Sequence, residues 1–246
     1  MKPSKLFQGL LTVGLGLVFQ AGSARAGQLS VNPVTIHLDS SIASEMLVLR
    51  NTGTIEARYQ ISAFSWSEPP RGEPLLKPTT DVAVFPPVLS IAPGESRNVR
   101  VGALVAAAGP LERTYRLILE ELPPAVKGNG VTFLNKISIP IFFAPQAARQ
   151  ATSVAFAGKS SFTLRNDGTV HLKAREVRAK ALDAGGSVLA QKSWPGWYVL
   201  AGGERIYTMP VPPKSCASVR TLDVTVHSAK GDLHQLVATP QGVCGS

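Results

Sequence analysis

The chain has 246 residues, of which 44% are hydrophobic and 17% are charged, and its formal net charge is +9. This length suits two compact domains of about 100 residues each. The basic residues are scattered, they are not interleaved with aromatic residues, and no recognition helix is visible, which argues against nucleic-acid binding. A moderate positive charge fits better with the attraction of carboxylate-bearing polypeptides.

Residues 1–26 have the pattern of a secretory signal peptide. Lys2 and Lys5 precede an apolar stretch at 6–21, and small residues stand at the two positions that define a cleavage site after Ala26. The apolar stretch is too short and too rich in glycine for a membrane span of about 20 residues. We therefore expect an exported mature chain, 27–246, without stable membrane insertion. Loss of the three basic residues of the signal lowers the net charge from +9 to +6.

Short strands separated by proline and glycine clusters are predicted along the whole mature chain. In the first half they lie at 29–38, 46–51, 57–66, 96–102, 114–122 and 131–143. In the second half they lie at 161–166, 172–180, 187–191, 198–200, 205–211, 222–227 and 233–238, and the stretch 144–150 is expected to be the hinge. Short strands at regular spacing, with turn signals between them, predict an all-β sandwich fold.

The sequence repeats itself once. LRNTGT at 49–54 returns as LRNDGT at 164–169, and IAPGE at 91–95 is echoed by LAGGE at 200–204. Chance similarity is the alternative, because turns of the Asn-x-Gly type are common. The matched order and spacing favour two copies of one β-domain, at 27–146 and 147–246.

An alternating apolar strand at 131–143 is the most informative segment of the chain. One of its faces carries Val131, Phe133, Ile137, Ile139 and Ile141. Pro140 lies inside this strand, and because proline cannot donate to a sheet ladder, the strand is expected at a sheet edge. A long apolar edge is an aggregation hazard. Either another part of the molecule covers it, or the edge is offered to a partner.

The chemistry-bearing residues form no catalytic constellation. GxSxG, P-loop and HExxH motifs are absent from the sequence, and Glu120 and Glu121 would point to opposite faces of a strand. We expect no enzyme activity, no cofactor and no metal, although the cysteines could in principle bind zinc with histidines. Cys216 and Cys244 are expected to form a disulfide, because two lone cysteines of an exported chain usually pair.

Three aromatic residues support an alternative function. Trp194, Trp197 and Tyr198 surround a Pro-Gly turn at 195–196. They could stack on a sugar, as in an exported two-domain adhesin or carbohydrate-binding module. The competing interpretation, which we favour, is an aromatic plug beneath a loop.

Three stretches together resemble the periplasmic pilus chaperones of the chaperone–usher pathway. PP at 86–87 followed by IAPGESRNVRV at 91–101 is similar to the family pattern P-P-x-x-x-L-x-P-G-x-x-x-x-V-R. YRLILEELPP at 115–124 is similar to the family strand that ends in E-x-P-P, and the third stretch is the alternating strand with its continuation to 145. The resemblance spans the mature chain and is strongest in the first domain.

This resemblance implies two immunoglobulin-like β-sandwich domains arranged at an angle, a periplasmic location and a role in fimbrium biogenesis. Such chaperones bind exported pilus subunits that lack their last strand, lend their own edge strand to the subunit groove by donor-strand complementation, and deliver the subunit to an outer-membrane usher. The free chaperone can also cap itself as a dimer. The implied donor residues are Val131, Phe133, Ile137 and Ile139, with Asn135 at a shallower or polar pocket.

The sequence departs from the family where the subunit's terminal carboxylate is held. Well-known members use an arginine on the first strand and a lysine on the long strand. Thr35 and Pro140 stand at those positions here, a loss that resembles the archaic branch. Lys136 and Arg116 are the candidate carboxylate anchors. Solvated surface charges are the equal alternative, because single surface charges contribute little.

Overall fold

The computed structural model describes residues 29–71, 73–105, 109–123 and 133–240. The predicted signal peptide, Val131 and Cys244 lie outside these residues. Strands are the main regular structure of the described chain, which has one short 3-10 helix at Pro213–Ser218, and this confirms the all-β prediction. Within the described residues, no helix is both long and apolar enough to cross a membrane.

The first ten strands form one sandwich, which we call the first sandwich. They are β1 (Leu29–Asn32), β2 (Ile36–Leu38), β3 (Ser44–Asn51), β4 (Ala57–Ser67), β5 (Leu75–Pro78), β6 (Val82–Phe85), β7 (Val88–Ile91), β8 (Ser96–Ala103), β9 (Arg113–Glu121) and β10 (Lys136–Phe143). One sheet has the order β1-β3-β8-β6, and the other has the order β2-β10-β9-β4-β5 with β7 paired to β4. Alternate residues of both sheets face inward and form a shared core, because successive side chains of a strand point to opposite faces.

The predicted strand at 29–38 is two strands, so this prediction was wrong. β1 pairs with β3 in one sheet, whereas β2 pairs in parallel with β10 in the other sheet. Pro33 lies between them and cannot donate a backbone hydrogen bond to either ladder. The chain therefore changes sheets at this proline, and β2 comes to lie beside the long strand β10.

The second sandwich contains the last eight strands. They are β11 (Thr152–Gly158), β12 (Ser161–Asn166), β13 (Leu172–Leu182), β14 (Val188–Pro195), β15 (Tyr198–Val199), β16 (Glu204–Thr208), β17 (Thr221–Ser228) and β18 (Leu233–Ala238). One sheet has the order β11-β12-β16, and the other has the order β14-β13-β17-β18 with β15 paired to β13. Their inward faces share a separate hydrophobic core.

The repeated Asn-x-Gly stretches have the same role in both sandwiches. The side-chain amide of Asn51 donates to the carbonyls of Ile55 and Ile91, and its oxygen accepts the N–H of Gly53. Asn166 makes the matching bonds to Val170, Val199 and Gly168. Both asparagines are buried, so each turn is fixed by a fully hydrogen-bonded side chain.

Candidate functional site: an open strand edge beside an interdomain cleft

The outer edge of β10 is covered only at its end. β9 pairs with β10 along its whole length, from Lys136 to Phe143. On the other side, β2 pairs with Ile141–Phe143 alone. Among the described residues, the edge from Lys136 to Pro140 therefore has no strand partner. Its free backbone groups can accept an added strand.

Side chains on the inward face of β10 become more buried toward Phe143. Phe133, just before the strand, is 74% exposed, and Ile137 is half-buried against the first core. Ile139 is only 2% exposed and belongs to that core. The strand begins at Lys136 and not at 131, so Phe133 lies in an irregular segment. The predicted donor residues thus differ strongly in the apolar area that they could offer.

Asn135 is engaged by its own domain. Glu121 Oε2 accepts the side-chain amide of Asn135 at 2.7 Å and its backbone N–H at 3.0 Å, and the Glu121 N–H donates to the Asn135 carbonyl. These bonds tie the residue before β10 to the end of β9. In this conformation the side chain of Asn135 stabilises the start of the strand.

Lys136 is a surface cation. Its Nζ lies 3.8 Å from Glu120 Oε1 on the neighbouring strand, and both side chains are more than half exposed. An exposed pair of this kind contributes about 0–1 kcal/mol. The structure therefore gives Lys136 a solvated environment, which was the alternative left open by the sequence.

Arg116 occupies a very different environment. It lies on β9 directly opposite Pro140. The side chain is only 7% exposed, and its Cζ atom lies 3.7 Å from the ring centre of Trp66. Within the described part of the chain, no hydrogen bond or ion pair within 4.0 Å joins the Arg116 guanidinium to another residue. Burial lowers its pKa, and Tyr198 and Glu68 act against this effect.

Lys136 and Arg116 do not converge. Arg116 pairs with Pro140, and Lys136 pairs with Glu120, so the two positions are four residues apart along the ladder. At 3.3 Å per residue their backbones are about 13 Å apart. Lys136 is directed to Glu120, whereas Arg116 is directed to Trp66 and to Tyr198 of the second sandwich, so the two cations do not form one site in this conformation.

Aromatic residues from both sandwiches pack together beside Arg116, and we call this junction of the two sandwiches the cleft. Trp66 and Phe142 of the first sandwich pack against Tyr198 and Leu200 of the second. His171 stacks on Phe142 with 3.6 Å between ring centres. The cleft is thus lined by a residue of β10 itself, two positions beyond Pro140.

A buried pair of a glutamate and a histidine joins the two sandwiches beside the cleft. Glu112 Oε2 accepts the backbone N–H of His171 at 2.9 Å and lies 2.8 Å from His171 Nδ1. The Glu112 side chain is almost fully buried. The Glu112 N–H also donates to the carbonyl of Thr169. These contacts fix the second sandwich relative to the end of the open edge.

Glu68 links the sandwiches on another side of the cleft, and no motif in the sequence singles it out. It follows β4, and its Oε1 accepts the indole N–H of Trp197 at 2.5 Å. Next to it, the carbonyl of Pro70 accepts the N–H of Ile206 on β16. Only the fold brings an acid from the first sandwich to a tryptophan 129 positions away.

The three aromatics considered for sugar stacking do not form one exposed platform. Trp194 packs edge-on against Phe162 and Tyr207 beside the second core. Tyr198 is buried in the cleft, and Trp197 is bonded to Glu68. The plug interpretation describes these contacts better than a carbohydrate platform does.

The remaining candidate residues show no metal centre. Among the described residues, no group of three or more histidine, cysteine or acidic side chains is arranged to hold an ion. His227 and His234 each lie 2.7 Å from an aspartate oxygen, of Asp232 and Asp223 respectively. Cys216 lies in the 3-10 helix, and because Cys244 lies outside the described residues, the disulfide stays a prediction.

Solved structures share this architecture. One is a chain of the CsuC–CsuE chaperone–tip adhesion subunit complex from the archaic Csu pili of Acinetobacter baumannii. It aligns with a TM-score of 0.58 and 21% identity, and the alignment covers 85% of this chain and 98% of that chain. The E. coli chaperone DraB has a TM-score of 0.55 and 15% identity, covering 88% and 98%. The Pseudomonas aeruginosa chaperone CupB2 has a TM-score of 0.53 and 13% identity, covering 85% and 100%. These likenesses confirm the two-domain β-sandwich fold.

Membership of a family is shown by the amino-acid sequence. Residues 28–149, about half of the chain, match the profile described as pili and flagellar-assembly chaperone, PapD N-terminal domain. The chain belongs to this family of pilus chaperones, as its motifs predicted. The family and the structural neighbours are non-enzymatic, which confirms the expectation that the chain is not an enzyme. No sequence among the curated proteins matches it.

Proposed function

We propose that this chain is a periplasmic chaperone of the archaic branch that captures exported pilus subunits by donor-strand complementation and delivers them to an outer-membrane usher. The observation that carries the proposal is the open edge of β10 from Lys136 to Pro140, which ends beside a cleft containing Arg116. Main-chain bonds along the edge supply affinity, and apolar side chains supply selection. The signal peptide at 1–26 and the domain limits 27–146 and 147–246 belong to this proposal.

The donor residues act unequally in this proposal. Phe133 is largely exposed and, with Val131, enters the subunit groove. Ile137 is half-buried and lies where the groove meets the first core, while Ile139 already fills that core and supports the strand. Burial of one large apolar side chain contributes about 1.5–3 kcal/mol, so Phe133 offers the larger gain. Asn135 reaches its polar pocket only if its bonds to Glu121 are exchanged.

The carboxylate anchor in this proposal is Arg116. Its guanidinium comes from β9 to the position where family members project a lysine from the long strand, because Arg116 is the cross-strand neighbour of Pro140. The side chain is desolvated by the aromatic residues of the cleft, which strengthens a charge-assisted bond to an incoming carboxylate. Lys136 contributes only long-range attraction.

Capture can be tested by co-expressing the chaperone with exported subunits encoded beside it and measuring co-purification. Phe133→Asp should abolish subunit recovery while the chaperone stays folded. Phe85→Asp is a matched control, because Phe85 is also 74% exposed but lies on β6 of the other sheet. Recovery at the wild-type level with Phe133→Asp would refute the donor assignment.

The free chaperone has the same open edge, so a second copy can occupy it. We propose that subunit-free protein caps itself as a dimer through β10. Size-exclusion chromatography with light scattering should show a dimer that a bound subunit dissociates. A monomer at all concentrations would rule out self-capping without affecting subunit capture.

A further inference from the structure

The cleft contains a carboxylate of its own, that of Glu68. Its Oε1 accepts the Trp197 indole N–H, and the positive charges of Arg205 and Arg116 act on it. Arg116 comes from β9, Arg205 from β16 and Trp197 from the turn between β14 and β15. Groups from both sandwiches therefore surround one side chain of the first sandwich.

This carboxylate is held without a direct ion pair. Within the described residues, no ion pair of 4.0 Å or less joins Glu68 to Arg116 or Arg205. The Trp66 indole N–H is buried and makes no hydrogen bond within 3.5 Å. It nevertheless acts to lower the pKa of Glu68. The larger effect is desolvation, which raises the pKa of Glu68.

These surroundings are those of a carboxylate-binding site. Two indole N–H groups and two guanidinium groups are donors that suit a carboxylate ligand, and both tryptophans line the same cleft. Arg116 lies over Trp66 and near Trp197, at 3.7 and 5.8 Å from the two ring centres. A polypeptide C-terminus that reaches Arg116 must approach the negative charge of Glu68.

We propose that Glu68 competes with the incoming carboxylate for the Arg116 site and thereby sets the affinity of the cleft for a polypeptide C-terminus. The inference rests on the proposed role of Arg116 as the anchor. Two carboxylates near one guanidinium repel each other, so Glu68 must turn away from Trp197 or take up a proton when the site fills. When no C-terminus is bound, Glu68 partly balances the buried charge of Arg116.

Nuclear magnetic resonance can follow this competition in the mature protein. The chain has three tryptophans, and two of them, Trp66 and Trp197, line the cleft, so indole N–H signals report on its occupancy. The probe is an N-acetylated heptapeptide of alternating valine and threonine with a free C-terminal carboxylate. Its C-terminal amide is the paired probe without the charge.

Wild type and four variants are compared with both probes. Glu68→Gln removes the charge but keeps an acceptor for Trp197, and Glu68→Ala removes the group altogether. Glu56→Gln is the matched control, because Glu56 is exposed at the opposite end of β4. Arg116→Met tests the anchor itself. Both Glu68 variants should bind the free-acid peptide about five- to tenfold more tightly than wild type, and all should bind the amide alike.

The outcomes separate the two proposals. The inference is supported if Arg116→Met no longer prefers the free-acid peptide over the amide and both Glu68 variants bind the free-acid peptide more tightly. If Arg116→Met loses the preference but neither Glu68 variant gains affinity, the competition is refuted and the anchor stands. If Arg116→Met keeps the preference, the anchor fails and the inference fails with it. A gain in Glu56→Gln equal to that in Glu68→Gln would also refute the inference.

Discussion

Arg116→Met should weaken subunit capture far more than Lys136→Met, because Arg116 is buried in the cleft and Lys136 is exposed. Arg116→Met removes the charge and keeps an apolar stem over Trp66. A charge-assisted bond to a carboxylate contributes about 1.5–3 kcal/mol. Its loss should weaken subunit binding roughly 10- to 150-fold. Lys136→Met removes an exposed pair with Glu120 and should weaken binding at most about fivefold.

Stability should change little in either variant. The guanidinium of Arg116 is desolvated without a hydrogen-bond partner in the described residues, so its removal recovers a desolvation cost. The variant also loses the contact of the charge with the Trp66 ring, which contributes about 1–2 kcal/mol. These effects oppose each other. A binding loss in Arg116→Met would therefore come from the anchor and not from unfolding.

Calorimetry with a subunit and with its C-terminally amidated form measures the anchor directly. Wild type should lose affinity for the amidated subunit, and Arg116→Met should bind both forms equally weakly. Lys136→Met should still distinguish the two forms. If Lys136→Met weakens binding as much as Arg116→Met, or if neither variant weakens it, the argument from burial is wrong.

Three further predictions concern the first core, the disulfide and Glu68. Ile139→Ala should lower the free energy of unfolding by about 2–4 kcal/mol in chemical denaturation, because it leaves a cavity in the first core, whereas Phe133→Ala should leave it unchanged; similar losses in both would contradict the unequal donor roles. Alkylation without reductant should leave the mass of the mature protein unchanged if Cys216 and Cys244 are bridged, and two added alkyl groups would refute the bridge. Reduction should lower stability by about 3–4 kcal/mol. Because burial raises the pKa of Glu68 above 4.5, the folded state binds more protons and loses stability as pH rises through that range. Glu68→Gln should therefore raise Tm at pH 7 and not at pH 4, and an equal change at both values would contradict this.

The alternation of the long strand predicted which residues share a face, but not which of them are covered. Phe133 and Ile139 have the same parity, yet their exposures are 74% and 2%. The difference arises because Ile139 lies within β10 and packs into the first core, whereas Phe133 precedes the strand. Burial of this kind depends on tertiary packing, which a period of two does not contain.

The Asn-x-Gly repeat predicted two turns correctly, because most of the hydrogen bonds that fix each turn join residues that are close in sequence. Asn51 and Asn166 each fix a turn through bonds to residues nearby in sequence and to one distant strand. The break at Pro33 could have been read from the proline itself, which cannot donate to a ladder. Glu68 could not be identified in this way, because its partners lie on β9, on β16 and in the turn before β15.

Hydrogen exchange of the backbone amides at 136–139 tests the central claim most directly. In the free monomer, the edge from Lys136 to Pro140 has no strand partner among the described residues, so amides that face outward should exchange rapidly. In the complex with a captured subunit, the account predicts strong protection of these amides, together with protection of the subunit strand that pairs with them. Unchanged exchange at 136–139 in a stable complex would show that the subunit is held elsewhere and that β10 is not the donor.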